Sequence, residues 1–314
     1  MLLTPIAWAK RVWALPFLTV LCPSERFYEQ RGRRHHTLLE RAWQSIRLVR
    51  RWLPDRESVF VSDSSFAALE LLDRVAQLSR VSIITRLRLD AALYDPPPPR
   101  APGQRGRPRR KGKRRPTLEA VLADEQTQWS KLTVDDWYGE GPREVDVATD
   151  TAVWDHAGKP PVAIRWVLIR DPQARFKPQA LLSTNLEHTC EQMLTWFVRR
   201  WTMEVTWEEA RAHLGMETQR QWNDRAIART TPALVSLYSV ITLTAHLLIE
   251  KGETCVRSTA WYGKTHPTFS DAIAWVRRQL WEHIHFSRSQ QETDMIQIPR
   301  GLLERFTEAL CYAA

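Results

Sequence analysis

"WFVRRWTMEVTWEEARAHLG", residues 196–215, sets a glutamate among arginines and three tryptophans. On a helix each residue advances about 100°, so Phe197, Arg200, Glu204 and Arg211 fall within an arc of roughly 60°. One stripe then carries an aromatic ring, a cation, a carboxylate and a second cation. A solvated helix scatters its charges, and a core helix leaves them out. The stripe therefore reads either as a surface salt-bridge network or as a face aimed at an anion or a metal. Trp196, Trp201 and Trp207 are expected to pack that helix onto its neighbours.

Working outward, 314 residues suffice for two domains or one elaborated domain, and 43% hydrophobic content allows a sizeable core. The net charge of +9 is concentrated: "RAPGQRGRPRRKGKRR" (100–115) holds nine basic residues and no acidic one, leaving 36 of each sign elsewhere. Such a block attracts polyanions, most simply nucleic acid, with Arg105, Arg107, Arg109, Arg110 and Lys111 as the expected contacts. Within it, "RGRP" (105–108) resembles the core of an AT-hook, which lies in the narrow A·T minor groove. The alternative is a non-specific phosphate tether. Either version predicts salt-sensitive DNA binding.

Cys22, Cys190, Cys255 and Cys311 are far apart, with no C-x-x-C pair and no histidine cluster at zinc-ligand spacing. That pattern argues against a zinc site or a disulfide framework and fits a reducing compartment, here the cytoplasm. "KRVWALPFLTVLCP" (10–23) has the order of a signal peptide, but Pro16 interrupts it and no small-residue cleavage site comes after it. "PALVSLYSVITLTAHLLIE" (232–250) approaches membrane-spanning length, yet its serines, threonines and His246 make it only moderately apolar. A buried strand and a core helix are expected there, and no membrane association.

Strands are predicted over 12–21, 58–62 and 81–89, with helices over 34–54 and after Asp63. Residues 94–116 break all periodicity and read as a loop or tether. Between 117 and 185 come short strand-like pieces such as "REVDVATDTAVWD", a small and mostly antiparallel β unit. Helical periodicity returns near 187, broken around Gly215, Gly252 and Gly263, and "FSDAIAWVRRQLWEHIHF" (269–286) reads as amphipathic. The order implies an α/β core interrupted by a β module, in four segments: 1–95, 96–186, 187–251 and 252–314. Asp171, ending "AIRWVLIRDP", is either a rival strand-end acid or a turn initiator before Pro172.

The spacing Phe197-x2-Arg200-x3-Glu204-x6-Arg211 resembles the Y-x2-R-x3-E-x6-K signature of DDE-type insertion-sequence transposases, with Phe for Tyr and Arg for Lys. "VSDSSFAALELL" (61–72) resembles their D-x-[GAS]-[YF] segment, with Asp63 as the second catalytic aspartate and Phe66 as the aromatic. "LGMETQRQWNDRAIARTTPAL" (214–234) is similar to the stretch downstream of the glutamate in those proteins. The resemblance implies a ribonuclease H-like mixed sheet interrupted by a mostly β insertion and followed by C-terminal helices. It further implies a nucleotidyl transferase cutting and rejoining element ends, with Asp63 and Glu204 as catalytic and metal-binding acids. Arg200 and Arg211 would contact DNA phosphates, and Mg²⁺ or Mn²⁺ would serve a two-metal site.

Transposon ends and target DNA are the implied partners, with a homodimer in a synaptic complex and nucleoid association when DNA is bound. Trp129, Trp137 and Trp154 lie in the expected insertion, where such enzymes stack an aromatic on a flipped base; packing a small core is the other reading. The family's first aspartate has no counterpart, because Asp55 in "LPDRES" is the only Asp between residues 1 and 62. The expectation is an amino-terminally truncated transposase with an incomplete two-metal site and impaired cleavage. The competing expectation is a non-catalytic DNA-binding or dimerising remnant.

Overall fold

The computed structural model describes residues 1–100, 106–251, 263–264, 266–283 and 297–312. The elements are β1 (Leu2–Ile6), β2 (Arg11–Leu15), α1 (Glu25–Glu29), α2 (Leu38–Trp52), β3 (Ser58–Val61), α3 (Leu69–Ala76), β4 (Val81–Leu87), β5 (Leu93–Tyr94), α4 (Leu118–Ala123), β6 (Ser130–Val134), β7 (Arg143–Trp154), β8 (Val162–Arg170), β9 (Gln179–Ser183), α5 (Cys190–Arg199), α6 (Thr202–Leu214), α7 (Asp224–Glu250), α8 (Phe269–His283) and α9 (Arg300–Cys311). They fall into two compact units, Cys22–Trp201 and Met1–Leu21 with Thr202–Ala314.

The first unit is built on a mixed seven-stranded sheet in the order β3-β4-β9-β8-β7-β5, with β6 also on β7. Among the described residues only β3 and β4 pair in parallel, joined through α3, while the remaining pairs are antiparallel. Strand side chains alternate between faces, and β8 shows the consequence. Its Val162, Ile164, Trp166 and Leu168 meet Ile46 of α2 and Leu69, Leu72 and Val75 of α3. Val167 and Ile169 face the other way, onto Met193, Leu194, Phe197 and Val198 of α5. Each fully buried side chain of this kind contributes about 1.5–3 kcal/mol, so the two faces together hold the register. This is the mixed α/β architecture expected of a ribonuclease H-like protein with C-terminal helices.

The helix ends follow local chemistry. Thr37 with Glu40 and Thr189 with Gln192 form capping boxes that start α2 and α5. The region 117–185 is antiparallel as expected, but it does not form a sheet of its own. β9 pairs with β4, from Ile84↔Ser183 to Leu87↔Ala180, and makes the sheet continuous. β4 is buried over Val81–Thr85, so both of its edges need a hydrogen-bonding partner.

In the second unit, β1 and β2 form an antiparallel hairpin from Leu2↔Leu15 to Ile6↔Arg11. The strand expected over 12–21 stops at Leu15 because Pro16 has no N–H to donate. It also belongs to this hairpin rather than to the large sheet. Trp13 packs beside Tyr238 of α7 and Phe269 of α8, and the Tyr238 and Phe269 rings stack 4.0 Å apart. α7 buries Val235, Tyr238, Ile241, Thr242, Ala245 and Leu248 at helical spacing, while Leu237, Val240, Leu243 and Leu247 are exposed. By length and composition alone α7 could cross a membrane. The helix expected over 269–286 is seen to His283, and residues 284–286 lie outside the described residues.

Candidate functional site

Asp63 follows β3, where the chain leaves the sheet. The Ser62 N–H donates to the Ile84 carbonyl at 2.9 Å, and the buried Thr85 hydroxyl donates to the Asp63 carbonyl at 2.5 Å. The backbone at Ser62 and Asp63 is therefore held to β4. Its carboxylate accepts the Ser65 N–H at 2.8 Å, capping the single 3-10 turn Ser64–Phe66. The side chain itself is exposed.

The stripe expected over 197–211 is not on one helix. α5 ends at Arg199 with Arg200 as its C-cap, and α6 begins at Thr202. The Trp201 N–H reaches back three residues to the Val198 carbonyl, a tightened last turn that ends α5. Phe197 is 3% exposed, driven into the core against Ile84, Leu181 and Met193 by its apolar area. Arg200 keeps its guanidinium 5.7 Å from the centre of that ring.

Glu204 sits in the first turn of α6, where the helix dipole favours a carboxylate, and it is half-buried. α6 is pinned to β2 by the Thr206 hydroxyl, which donates to the Ala14 carbonyl at 2.8 Å. Arg211, in the last turn and exposed, pairs with Glu217 at 2.9 Å. Asp63, Phe197 and Arg200 thus belong to the sheet unit, and Glu204 and Arg211 to the helical unit. The tryptophans divide too: Trp196 lies edge-on to His188, Trp201 edge-on to Tyr138, and Trp207 packs beside Ala210, Met216 and Val235.

Asp171 takes the turn role. Its carboxylate accepts from the Gln173 and Arg175 N–H groups at 3.0 Å each and pairs with the Arg175 guanidinium at 2.7 Å. Arg175 outweighs the cost of burial, and with those N–H donors it holds the carboxyl well below the usual range. Of the basic block, Arg107, Arg109 and Arg110 are exposed, and Arg105 lies outside the described residues. Lys111 is instead engaged by Asp155 and sits 3.9 Å over the Tyr94 ring. The block's end is no tether, since the Asp95 N–H donates to the Lys113 carbonyl and the Gly112 N–H to the Asp95 carbonyl, both at 2.8 Å. Trp137 stacks on Phe176, while Trp129 and Trp154 pack on the α2/α3 face of the sheet.

Three residues at these sites escaped the sequence reading. Thr85 fixes the Asp63 backbone. Arg86, next along β4 and exposed, holds its guanidinium 5.5 Å from the Phe197 ring centre, so Arg86 and Arg200 share one aromatic anchor. An arginine inside the apolar run "VSIITRL" was the available signal for it. Glu209 on α6 has its carboxyl raised by burial, against the pull of His213 at 3.2 Å. Its signal was the four-residue spacing of Glu209 and His213 on one helix face.

Asp63 and Glu204 are oxygen donors of the kind hard divalent cations take. Among the described residues, however, no three His, Cys, Asp or Glu side chains come together as a donor set. The fit to a divalent metal is therefore one of kind and not of number.

Residues 1–161, just over half of the chain, match the DDE superfamily endonucleases, and the chain belongs to that family. The matched stretch contains Asp63, β3 and β4 and ends before α5 and α6. No curated protein matches the chain. Membership makes it a nuclease or transposase type of protein with DNA as its substrate.

Proposed function

We propose that this chain is a transposase that cleaves and transfers DNA strands at the ends of an insertion sequence, with Asp63 and Glu204 as its catalytic carboxylates. Family membership combined with Asp63 supports the reading: the carboxylate is exposed at the end of a parallel edge strand, and the Asp63 carbonyl is held by the Thr85 hydroxyl of β4. Arg86 and Arg200, anchored on Phe197, would hold a phosphodiester, since guanidinium groups pair with phosphate oxygens in a forked geometry. Arg107, Arg109 and Arg110 would add sequence-independent attraction to the backbone. Mg²⁺ or Mn²⁺ is the cofactor such chemistry calls for, and Asp63 and Glu204 are its candidate ligands.

The test is cleavage of a DNA duplex carrying the element's own terminal sequence, in Mg²⁺ and in Mn²⁺, by the wild type, Asp63→Asn and Glu204→Gln. Cleavage by the wild type that both substitutions abolish, with DNA binding retained, is the expected result. Wild-type cleavage that survives either substitution removes that residue from the site. DNA binding without cleavage in either metal, unchanged by both substitutions, supports the non-catalytic DNA-binding reading instead.

A further inference from the structure

Exposed arginines of this chain are paired with carboxylates at several places: Arg34 with Glu40, Arg88 with Asp90, Arg300 with Glu304. The stretch "QRQWNDRAIAR" (219–229) departs from that habit. Arg220, Arg225 and Arg229 are all exposed, and none has a carboxylate partner among the described residues. Between them Trp222 is 95% exposed, against 51% for Trp52 and 44% each for Trp201 and Trp281. Tryptophan is a highly buried residue on average, so one held wholly in water is unusual.

The backbone is fixed on either side of it. The Thr218 hydroxyl donates to the Gly215 carbonyl at 2.7 Å, in the turn that closes α6. On the other side the Asn223 side chain caps α7, accepting the Arg225 and Ala226 N–H groups at 2.8 and 3.1 Å. Trp222 is the residue immediately before that cap. Arg225 and Arg229 are four residues apart and therefore share one face of α7. The one acidic neighbour in the stretch is Asp224, so the segment carries an excess of two positive charges.

An exposed indole in a stretch that carries three exposed arginines matches the two features of a nucleic acid strand, a flat base and the phosphates on either side of it. In a duplex the base faces are covered by their neighbours; in a single strand they are free to stack. We infer that Trp222 is a stacking site for a base of single-stranded DNA, with Arg220, Arg225 and Arg229 contacting the flanking phosphates. This rests on the DNA reading of the preceding section and adds to it a contact on the helical unit. It assigns these residues no part in the chemistry.

The experiment measures anisotropy of a labelled single-stranded oligonucleotide and of a blunt duplex of the same sequence, titrated with full-length wild type, Trp222→Ala, Trp222→Phe and the double variant Arg225→Ala/Arg229→Ala. Trp222→Ala should weaken single-strand binding by about tenfold while leaving duplex binding within about twofold, and Trp222→Phe should restore most of the loss. The double arginine variant should lower the slope of log affinity against log salt for the single strand by about 1.4. Single-strand affinity untouched by Trp222→Ala, or both DNA forms weakened equally, overturns the inference. So does a Trp222→Ala variant whose oligomeric state changes while its DNA affinity does not, because the tryptophan is then a protein contact. Wild type that binds the duplex but not the single strand removes this inference alone, whereas wild type that binds neither removes the DNA reading beneath it.

Discussion

The turns after β3 and after β8 each place an aspartate just beyond a strand of the same sheet, and the two aspartates have opposite surroundings. Asp63 accepts the N–H two residues on, and its carboxylate is open to water. Asp171 accepts the equivalent N–H but also that of Arg175, has a guanidinium laid against it, and has a fully buried side chain. The same local motif is spent on structure in one place and left available in the other. Strand-end position therefore does not by itself say what an aspartate does; the one buried against a guanidinium is fixed in structure, and the other stays exposed.

Removing each carboxylate is the most direct way to break this contrast. Asp171→Ala should lower the thermal unfolding midpoint by several degrees, because it strips two N–H groups and a cation of their acceptor. Asp63→Ala should cost only about 0.5 kcal/mol, as the loss of one exposed cap. Calorimetry on both variants checks this, and equal losses would erase the distinction between the two turns.

Acid titration sharpens it. The Asp171 carboxyl is held below its ordinary value by Arg175, against burial, with help from the Gln173 and Arg175 N–H groups. Its contribution is fully present above the unfolded value, near 3.9, and is lost as pH falls through the folded value. The stability gap between wild type and Asp171→Asn, measured by denaturant titration, should stay constant from about pH 7 to pH 5 and shrink below about pH 4.

A second pair of sites extends the contrast to the basic block, whose end is fixed and whose middle is exposed. A Cβ on Gly112 would lie 2.7 Å from the Pro96 carbonyl oxygen and 2.9 Å from the Asp95 Cβ. Gly112→Ala should therefore destabilise by about 1–2 kcal/mol in a denaturant titration. Arg107, Arg109 and Arg110 replaced together by alanine should shift stability by less than about 0.5 kcal/mol. That triple variant should nonetheless reduce the salt slope of duplex binding by up to about 2.7, which anisotropy at several salt concentrations would measure.

Much of this was legible one element at a time. Strands β3, β4, β7 and β8 announced themselves by β-branched runs, α2 by a helical period over 34–54, and Asp63 by its place between a strand and a turn. The reading of 196–215 as one stripe failed because helical arithmetic assumes an unbroken helix, and burial of Phe197 against Ile84 and Met193 was worth more than continuity. The Arg211–Glu217 pair was not legible either, since Glu217 lies on the far side of a turn that no helical wheel includes.

The amino-acid sequence by itself determined the local periods, the caps, the concentration of positive charge and the resemblance that led to the DDE endonucleases. These depend on residues within a turn or two of each other, where spacing dictates geometry. Only the tertiary structure decided that β9 joins β4 across about a hundred residues, that residues 1–21 go with the helices, and which arginines are spent on carboxylates. Those outcomes turn on which distant surfaces exclude water together, and a linear pattern records that a face is apolar without recording what will cover it.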